Sequence, residues 1–273
     1  MLLEPITRLS RREAIAYVAR RPYENVFLQW VLEGGHGPGT PDDIMLSRDT
    51  RNAVTGVVYF GTQLVLAADD DPTVDAFAIE ARRHPGVRSF VGPVASVNRL
   101  WERVSEWHKP PLIVREYQPL YVLARGGLRA SGSADVRPAH PAEAETIAEQ
   151  SALMMLGELG YDPRSARAGF LAGVRYQIDA GNWWVWMVDG QVRFQCSVGA
   201  RTRSTAQIQG VWTPPSQRGR GYATLALGAI ARRLLESNPT LSLYVNDFNS
   251  EAIALYERLG FVASGAFATY LFP

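Results

Sequence analysis

The 273-residue sequence predicts an α+β fold made of two successive domains, each with a mixed, mostly antiparallel sheet flanked by helices. Three observations predict it. The composition, 47% hydrophobic and 20% charged, provides material for packed cores. A segment rich in Gly, Ser and Ala interrupts the apolar pattern over residues 124–138. The parts before and after this segment show the same order of helical and strand-like stretches.

The boundary is placed near Ser131, which gives an N-terminal domain of residues 1–124, a linker of residues 125–133 and a C-terminal domain of residues 134–273. The N-terminal half has a helical stretch, EAIAYVARRPYENVFLQWVLEGG, then the paired strands of AVTGVVYFGTQLVLAA and a second helix, DPTVDAFAIEARRH. The C-terminal half repeats this order with PAEAETIAEQSALMMLGELG, NWWVWMVDGQVRFQCSVGA and GYATLALGAIARRLLES. The shared order indicates an internal duplication.

A β-hairpin is predicted where Asp189-Gly190 separates two alternating apolar runs, because this dipeptide supplies the positive φ angles of a two-residue turn. Side chains alternate along a strand, so Trp184 and Trp186 are expected on one face and Trp183 on the other. These tryptophans suit either core packing or the wall of a substrate pocket. The next strand, AQIQGVWTPP, ends at its two prolines because proline cannot donate to a ladder.

The segment after these prolines, SQRGRGYATLAL, is predicted to bind an anion. A strand, a glycine-rich loop and a helix in this order bring unpaired backbone N–H groups to the positive end of the helix dipole. Gly219 and Gly221 have no Cβ, so a phosphate can approach the backbone closely, and the small Ala223 keeps the first helical turn clear. The spacing fits neither a Walker loop nor a Rossmann fingerprint.

Two motifs in order resemble those of the GNAT superfamily of N-acetyltransferases. Residues 218–223 read Arg-x-x-Gly-x-Gly/Ala, which resembles the GNAT motif for the pyrophosphate of acetyl-CoA. Residues 249–261 read N-x-x-A-x-x-x-Y-x-x-x-G-F, which resembles the last GNAT motif. In addition, FVGPVASVNRLWERV and REYQPLYVL in the N-terminal half are similar to a bacterial group in which a domain of unknown function precedes a GNAT domain. The resemblance covers nearly the whole chain.

The resemblance implies tandem GNAT-like domains, with splayed central strands in the C-terminal one. The N-terminal domain is expected to be a degenerate copy without a CoA motif. It carries Asp69, Asp70 and Asp71 where the phosphate loop would lie, and three carboxylates would repel a pyrophosphate. We therefore expect the N-terminal domain to shape the acceptor pocket or to stabilise its neighbour.

The resemblance also implies which residues would hold acetyl-CoA, the expected acyl donor. Main-chain groups near Val211 would pair with the pantetheine arm, while Asn249 and, more weakly, Asn246 would make polar contacts. The complete set of expected cofactor-binding residues is Val211, Trp212, Thr213, Arg218, Gly219, Arg220, Gly221, Tyr222, Ala223, Asn246 and Asn249. No metal is expected.

Tyr256 is the general acid that the resemblance implies, protonating the departing thiolate. A structural tyrosine, or one that only orients CoA, would fit the same pattern. The candidate general base is Glu158, because its segment is expected to line the acceptor side. A solvated glutamate at a helix end, a water chain or an amine that arrives neutral are the alternatives. Gln207 and Gln209 occupy the strand in which GNAT enzymes often carry a glutamate, and neither can take a proton.

Charge and cysteine content narrow the function. The net charge of +1 gives no general affinity for nucleic acid or an anionic membrane, and the single cysteine, Cys196, excludes an intrachain disulfide. No segment approaches the roughly 18 apolar residues of a membrane span. We expect a cytoplasmic bacterial N-acyltransferase, monomeric or homodimeric, for a small amine or amino-acid-like acceptor. A non-enzymatic acyl-CoA sensor and a protein or peptide N-acetyltransferase are the alternative functions.

Overall fold

The computed structural model describes residues 2–35, 43–130, 134–160 and 162–273, so Ser131, the expected boundary, lies outside the described residues. The helices in these ranges are α1 (Ser10–Val18), α2 (Val26–Leu32), α3 (Asp71–Ala81), α4 (Val94–Val104), α5 (Ala144–Leu159), α6 (Arg167–Asp179), α7 (Tyr222–Ser237) and α8 (Ser250–Leu259). The strands are β1 (Leu2–Pro5), β2 (Ile44–Arg48), β3 (Val54–Phe60), β4 (Gln63–Ala68), β5 (Ser89–Pro93), β6 (Ile113–Ala124), β7 (Arg137–Pro138), β8 (Trp183–Val188), β9 (Gln191–Arg201), β10 (Thr205–Trp212), β11 (Thr240–Tyr244) and β12 (Val262–Leu271).

These strands form one continuous sheet in the order β1-β2-β3-β4-β5-β12-β6-β11-β10-β9-β8-β7. The pairs β4–β5 and β10–β11 are parallel, and the other pairs are antiparallel. A helix connects the two strands of each parallel pair, α3 in the first half and α7 in the second, as a parallel crossover requires. The same arrangement therefore occurs twice along the chain, and the predicted α+β fold of two similar halves is confirmed.

The two halves exchange strands at the centre of the sheet. The last strand of the N-terminal half, β6, lies between β11 and β12, with Leu123 opposite Leu241. The last strand of the chain, β12, lies between β6 and β5, with Tyr270 opposite Phe90. The expected division at residues 124 and 134 is thus a division of the chain, whereas the hydrogen-bonded sheet runs through both halves.

The hydrophobic cores are shared in the same way. In the C-terminal half, Leu241 of β11 packs with Leu123 of β6 and with the apolar face of α7. In the N-terminal half, the core between the sheet and helices α3 and α4 includes Tyr270 and Phe272 from the end of the chain. Each half therefore depends on side chains from the other to exclude water from its core.

The predicted hairpin forms between β8 and β9, with positive φ at Asp189 (50°) and Gly190 (71°). Trp184 and Trp186 pack against the core that contains α7, while Trp183 packs against the cluster formed by α5 and α6. The two faces are those that strand alternation predicts. All three tryptophans serve packing, and none of them lines the cleft described below.

Candidate active site

A cleft of about 700 Å³ opens in the C-terminal half where β10 and β11 separate. The two strands pair in parallel from Thr205↔Thr240 to Gln207↔Ser242 and then diverge. The divergence has a local cause in β10, where Gly210 has a φ of +61° and the register against β9 shifts between Gln209 and Trp212. Such a bulge bends its strand away from a straight ladder. The bulge therefore produces the splayed strands that the GNAT resemblance implies.

One end of the cleft is the start of α7. The strand β10 is followed by a short 3-10 turn, Pro215–Gln217, and by Gly219 and Gly221, whose φ angles are +73° and +78°. No side chain caps α7, so the N–H groups of its first turn have no protein acceptor there. A Cβ atom at Gly219 or Gly221 would meet no atom within 4 Å, so the space in front of these N–H groups is open. The segment fits a pyrophosphate, which needs both the donors and the space.

Arg218 connects this loop to the end of β10. Its guanidinium lies 4.9 Å from the centre of the Trp212 ring, and its Nε donates a hydrogen bond to the carbonyl of Thr213 at 3.2 Å. The Trp212 indole in turn donates to Gln150 of α5 at 3.2 Å. Arg218 thus fixes the loop against the strand, which is a structural contribution that the sequence motif did not reveal. Arg220 is exposed and does not line the cleft.

The opposite wall of the cleft begins at α8. Asn249 caps this helix through its Oδ1, which accepts a hydrogen bond from the N–H of Ala252 at 3.1 Å. Asn246 is held by Gln118 of β6, whose Nε2 donates to the Asn246 Oδ1 at 3.0 Å. The Oε1 of Gln118 accepts a hydrogen bond from Thr269 at 2.6 Å. Each asparagine therefore uses its carbonyl oxygen within the protein and presents its NH2 group as the available donor.

Tyr256 of α8 lines the same cleft and is 5% exposed. Its ring packs between Tyr121 and Phe261, with centroid distances of 6.2 and 5.9 Å. Its hydroxyl has no hydrogen-bond partner among the described residues. Burial raises the pKa of this phenol, and the nearby carboxylate of Glu158 raises it further. Tyr256 therefore remains protonated at neutral pH and can donate its proton into the cleft.

Glu158 lies in the last turn of α5 and faces the same cleft. Its side chain keeps contact with solvent, yet partial desolvation raises the pKa of its carboxyl group, an effect that the charges of Arg115 and Arg218 oppose. Arg115 of β6 donates to the Glu158 carbonyl at 2.6 Å and lies 4.9 Å from the centre of the Phe248 ring. The structure thus brings the candidate base and the candidate acid, which are 98 residues apart in the sequence, to one cavity.

The other expected site residues also line the cleft, namely Val211, Trp212, Thr213, Arg218, Gly219, Gly221, Tyr222, Ala223, Asn246 and Asn249. Sequence reasoning missed Gln118, and it did not single out Met154 or Tyr244 within the segments expected to line the cleft. Tyr244 stacks on Phe267 at 4.9 Å, and its hydroxyl has no partner in the described parts of the chain. Its position at the end of β11, two residues before Asn246, could have identified Tyr244 as a residue of the cleft. Gln118 carried no such signal, because its strand belongs to the other half.

The corresponding place in the N-terminal half is occupied by carboxylates. Asp70 caps α3 by accepting a hydrogen bond from the N–H of Thr73 at 2.8 Å. Asp69 pairs with Arg20 at 2.8 Å, and Asp71 lies at the start of the same helix. Acidic side chains therefore fill the position that phosphates would need, and the lack of CoA binding by this half stays a prediction.

The residues that the structure describes contain no group of three or more His, Cys, Asp or Glu side chains that could hold a metal ion. None of their helices combines the length and apolar character needed to cross a membrane. The single cysteine, Cys196, is fully buried in the core, and burial raises the pKa of its thiol.

Two family models match separate parts of the chain. Residues 44–147 match a domain of unknown function, DUF4081. Residues 198–270 match the FR47-like protein family, and this match contains the glycine loop of residues 218–221, α7 and α8. No curated protein matches the chain significantly.

Solved structures of GNAT proteins are similar to the whole chain. An acetyltransferase of the GNAT family from Colwellia psychrerythraea is 12% identical, covers 100% of both chains and has a TM-score of 0.63. A GCN5-related N-acetyltransferase from Sphaerobacter thermophilus is 15% identical over 98% of this chain and 94% of its own, with a TM-score of 0.59. A tandem GNAT protein from the clavulanic acid biosynthesis pathway is 13% identical over 100% of this chain and 99% of its own, with a TM-score of 0.58. The chain therefore has the tandem fold of the GNAT acetyltransferases, with a DUF4081 segment followed by an FR47-like segment.

Proposed function

We propose that this protein transfers the acetyl group of acetyl-CoA to a primary amine of a small or amino-acid-like acceptor. One observation carries the proposal. The cleft between the splayed strands joins an uncapped helix start, suited to a pyrophosphate, to a buried tyrosine whose hydroxyl is free to donate. A donor site and a proton source in one cavity are what transfer from a thioester requires.

The chain would hold acetyl-CoA along the full length of the cleft. The N–H groups at the start of α7 would bind the pyrophosphate, and the main chain of residues 211–213 would pair with the pantetheine arm. Asn249 and Asn246 would donate from their NH2 groups, since their carbonyl oxygens are already used. With this direction the thioester would lie near Val211 and Tyr256, which line the cleft together with Glu158.

Bound acetyl-CoA supplies an activated acyl carbon, and side chains of the cleft would accept and donate the protons that the reaction transfers. Glu158 would accept a proton from the incoming ammonium, which leaves a neutral amine able to form the new C–N bond. The N–H of Val211 would stabilise the negative charge that develops on the carbonyl oxygen. As the C–S bond breaks, Tyr256 would donate its phenolic proton to the sulfur, and the proton that the new amide nitrogen then loses would restore the phenol.

The residues around the proposed position of the thioester favour a small acceptor. Met154 and Glu158 come from α5, Tyr244 from β11 and Gln118 from the strand that the N-terminal half contributes. The N-terminal half would therefore shape the acceptor side of the pocket. The negative charge of Glu158 favours a cationic amine.

The proposed activity is tested by release of free CoA thiol from acetyl-CoA with a panel of primary amines and amino acids. Gly221→Val should abolish acetyl-CoA binding and turnover, because a Cβ branch at a φ of +78° strains the loop and fills the phosphate space. Gly181→Val is the matched control, since Gly181 has a φ of +71° and lies outside the cleft. Arg220→Ala should weaken binding by only about threefold, as expected for an exposed charge. Acetyl-CoA binding without turnover on any acceptor would instead support the acyl-CoA sensor.

Glu158→Gln should remove the acidic limb of the pH–rate profile. The base must be ionised to act, so the wild-type kcat/KM should fall as the pH drops through the pKa of Glu158. This pKa is raised above the ordinary glutamate value, which moves the limb to higher pH. The variant should be slower by about 100-fold near neutral pH, the scale of general base catalysis. Glu251→Gln, which alters another carboxylate of the cleft, serves as the control. An unchanged limb in Glu158→Gln would favour a water chain or a neutral amine.

A further inference from the structure

A second cavity, of about 190 Å³, lies in the N-terminal half where β4 and β5 separate. These strands pair in parallel from Gln63↔Ser89 to Val65↔Val91 and then diverge, as β10 and β11 do in the other half. The cavity is lined by the end of α1, the turn before α2, the end of β4 and the start of α4. It shares no lining residue with the cleft of the C-terminal half.

One wall of this cavity offers hydrogen-bond donors. The 11-residue helix α4 begins after Pro93, and no side chain caps it. Ser96, in its first turn, is 5% exposed, lines the cavity, and has a hydroxyl without a hydrogen-bond partner among the described residues. This hydroxyl opens onto the cavity and has no protein partner there, so it is available to hydrogen-bond a group of a ligand. The uncapped N–H groups beside it favour an anionic group such as a carboxylate.

The wall formed by the turn before α2 offers acceptors. Asn25 is 4% exposed, and its Nδ2 donates to the carbonyl of Val18 at 3.1 Å. This bond fixes the orientation of the amide, so the Oδ1, which has no partner among the described residues, is the atom available to a ligand. The carboxylate of Glu24 lines the cavity beside it, 3.9 Å from Arg21. An ammonium group fits this wall.

The charges around the opening are balanced. Arg20 pairs with Asp69 at 2.8 Å and lies 4.1 Å from the centre of the Tyr17 ring. Arg21 and Glu24 add one further charge of each sign. A ligand with a net charge would add a charge that no excess of opposite charge in the cavity compensates, whereas a zwitterion adds no net charge.

The size and the floor limit the ligand further. The floor is formed by Ala67 and Ala68, both less than 9% exposed, and is apolar. The volume corresponds to about six water molecules at roughly 30 Å³ each. This space suits an α-amino acid with a small side chain.

We propose that this cavity binds a small L-α-amino acid. Its carboxylate would lie at Ser96 and the first turn of α4, its ammonium at the Oδ1 of Asn25 and at Glu24, and its side chain over Ala67 and Ala68. The site is separate from the acetyl-CoA cleft, so the amino acid is a ligand of the N-terminal half and is not consumed there.

Calorimetric titration of the full chain with glycine, L-alanine, L-serine and L-valine tests the proposal. At least one of them should bind with a Kd below about 1 mM. Ser96→Ala and Glu24→Gln should each weaken that binding by about tenfold, the scale of one lost hydrogen bond to a charged group. Ser105→Ala, at the other end of α4 and exposed, is the matched control. Acetate, methylamine and D-alanine should bind more weakly, because each lacks one group or the correct handedness.

Binding of acetyl-CoA to each variant shows that the variant is folded. A loss of amino-acid binding in a variant that still binds acetyl-CoA is therefore caused by the change in the cavity. The proposal is overturned when none of the four amino acids binds the wild type more tightly than about 10 mM. It is also overturned when binding survives in both Ser96→Ala and Glu24→Gln. Binding that is lost in Glu158→Gln and kept in Ser96→Ala would place the amino acid in the acceptor pocket instead.

Discussion

Residues 134–273, expressed alone, should fail to fold cooperatively. This fragment contains both GNAT motifs but lacks β6, which lies between β11 and β12. Leu120 and Leu123 of β6 are 0% exposed and Tyr121 is 4% exposed. Burial of a large apolar side chain contributes about 1.5–3 kcal/mol, so these three residues provide about 5–9 kcal/mol. The whole stability of a domain is about 5–15 kcal/mol. Loss of this strand is therefore sufficient to unfold the C-terminal half.

The matched fragment is residues 113–273, which keeps β6 and the segment that joins it to β7. It should show a cooperative thermal transition and bind acetyl-CoA, although its stability should be lower than that of the full chain because β12 loses its pairing with β5. Circular dichroism melting and acetyl-CoA titration of both fragments measure the difference. If residues 134–273 melt cooperatively and bind acetyl-CoA like the full chain, the exchanged strand is dispensable and the halves are independent.

The sequence predicted the local features of the cleft well. The start of α7 and the glycine-rich loop before it follow from residues that lie next to one another in the chain. Such features depend on backbone conformation and on hydrogen bonds within a few residues, which sequence patterns reflect directly. For the same reason the Asp189-Gly190 turn was predictable.

The strand exchange was not predictable from these patterns. The stretch REYQPLYVL indicates a strand, yet its residues carry no information on whether it pairs within its own half or with the other one. Each of the two similar halves offers strands with which β6 could pair, and packing between residues far apart in the sequence determines which strands it pairs with. Gln118 could therefore not be identified as a site residue from the sequence, although its Nε2 lies 3.0 Å from the Oδ1 of Asn246. Arg218 was identified through the motif, but its stacking on Trp212 depends on side-chain packing that the motif does not specify.

Tyr256→Phe should lower kcat by about 100-fold, the scale of general acid catalysis, while acetyl-CoA binding changes little. The substitution keeps the ring that packs on Tyr121 and Phe261 and removes only the hydroxyl. Burial and the Glu158 charge raise the pKa of Tyr256, so the acid stays protonated at high pH. The wild-type rate should accordingly show no loss caused by ionisation of Tyr256 up to about pH 10, the ordinary tyrosine value. Stopped-assay measurement of thiol release across this range provides both results.

Two further tyrosines determine how a loss in Tyr256→Phe is interpreted. The hydroxyl of Tyr121 donates to Glu257 at 2.9 Å and does not face the cleft, so Tyr121→Phe should leave kcat almost unchanged. The hydroxyl of Tyr244 lacks a partner in the described chain, and the residue also lines the cleft. If Tyr244→Phe caused the large loss in kcat and Tyr256→Phe did not, the general acid would be Tyr244 and the role assigned to Tyr256 would be wrong. Equal, small effects of both substitutions would mean that solvent protonates the thiolate. The proposed mechanism therefore predicts a large loss in Tyr256→Phe alone, with acetyl-CoA affinity preserved in all three variants.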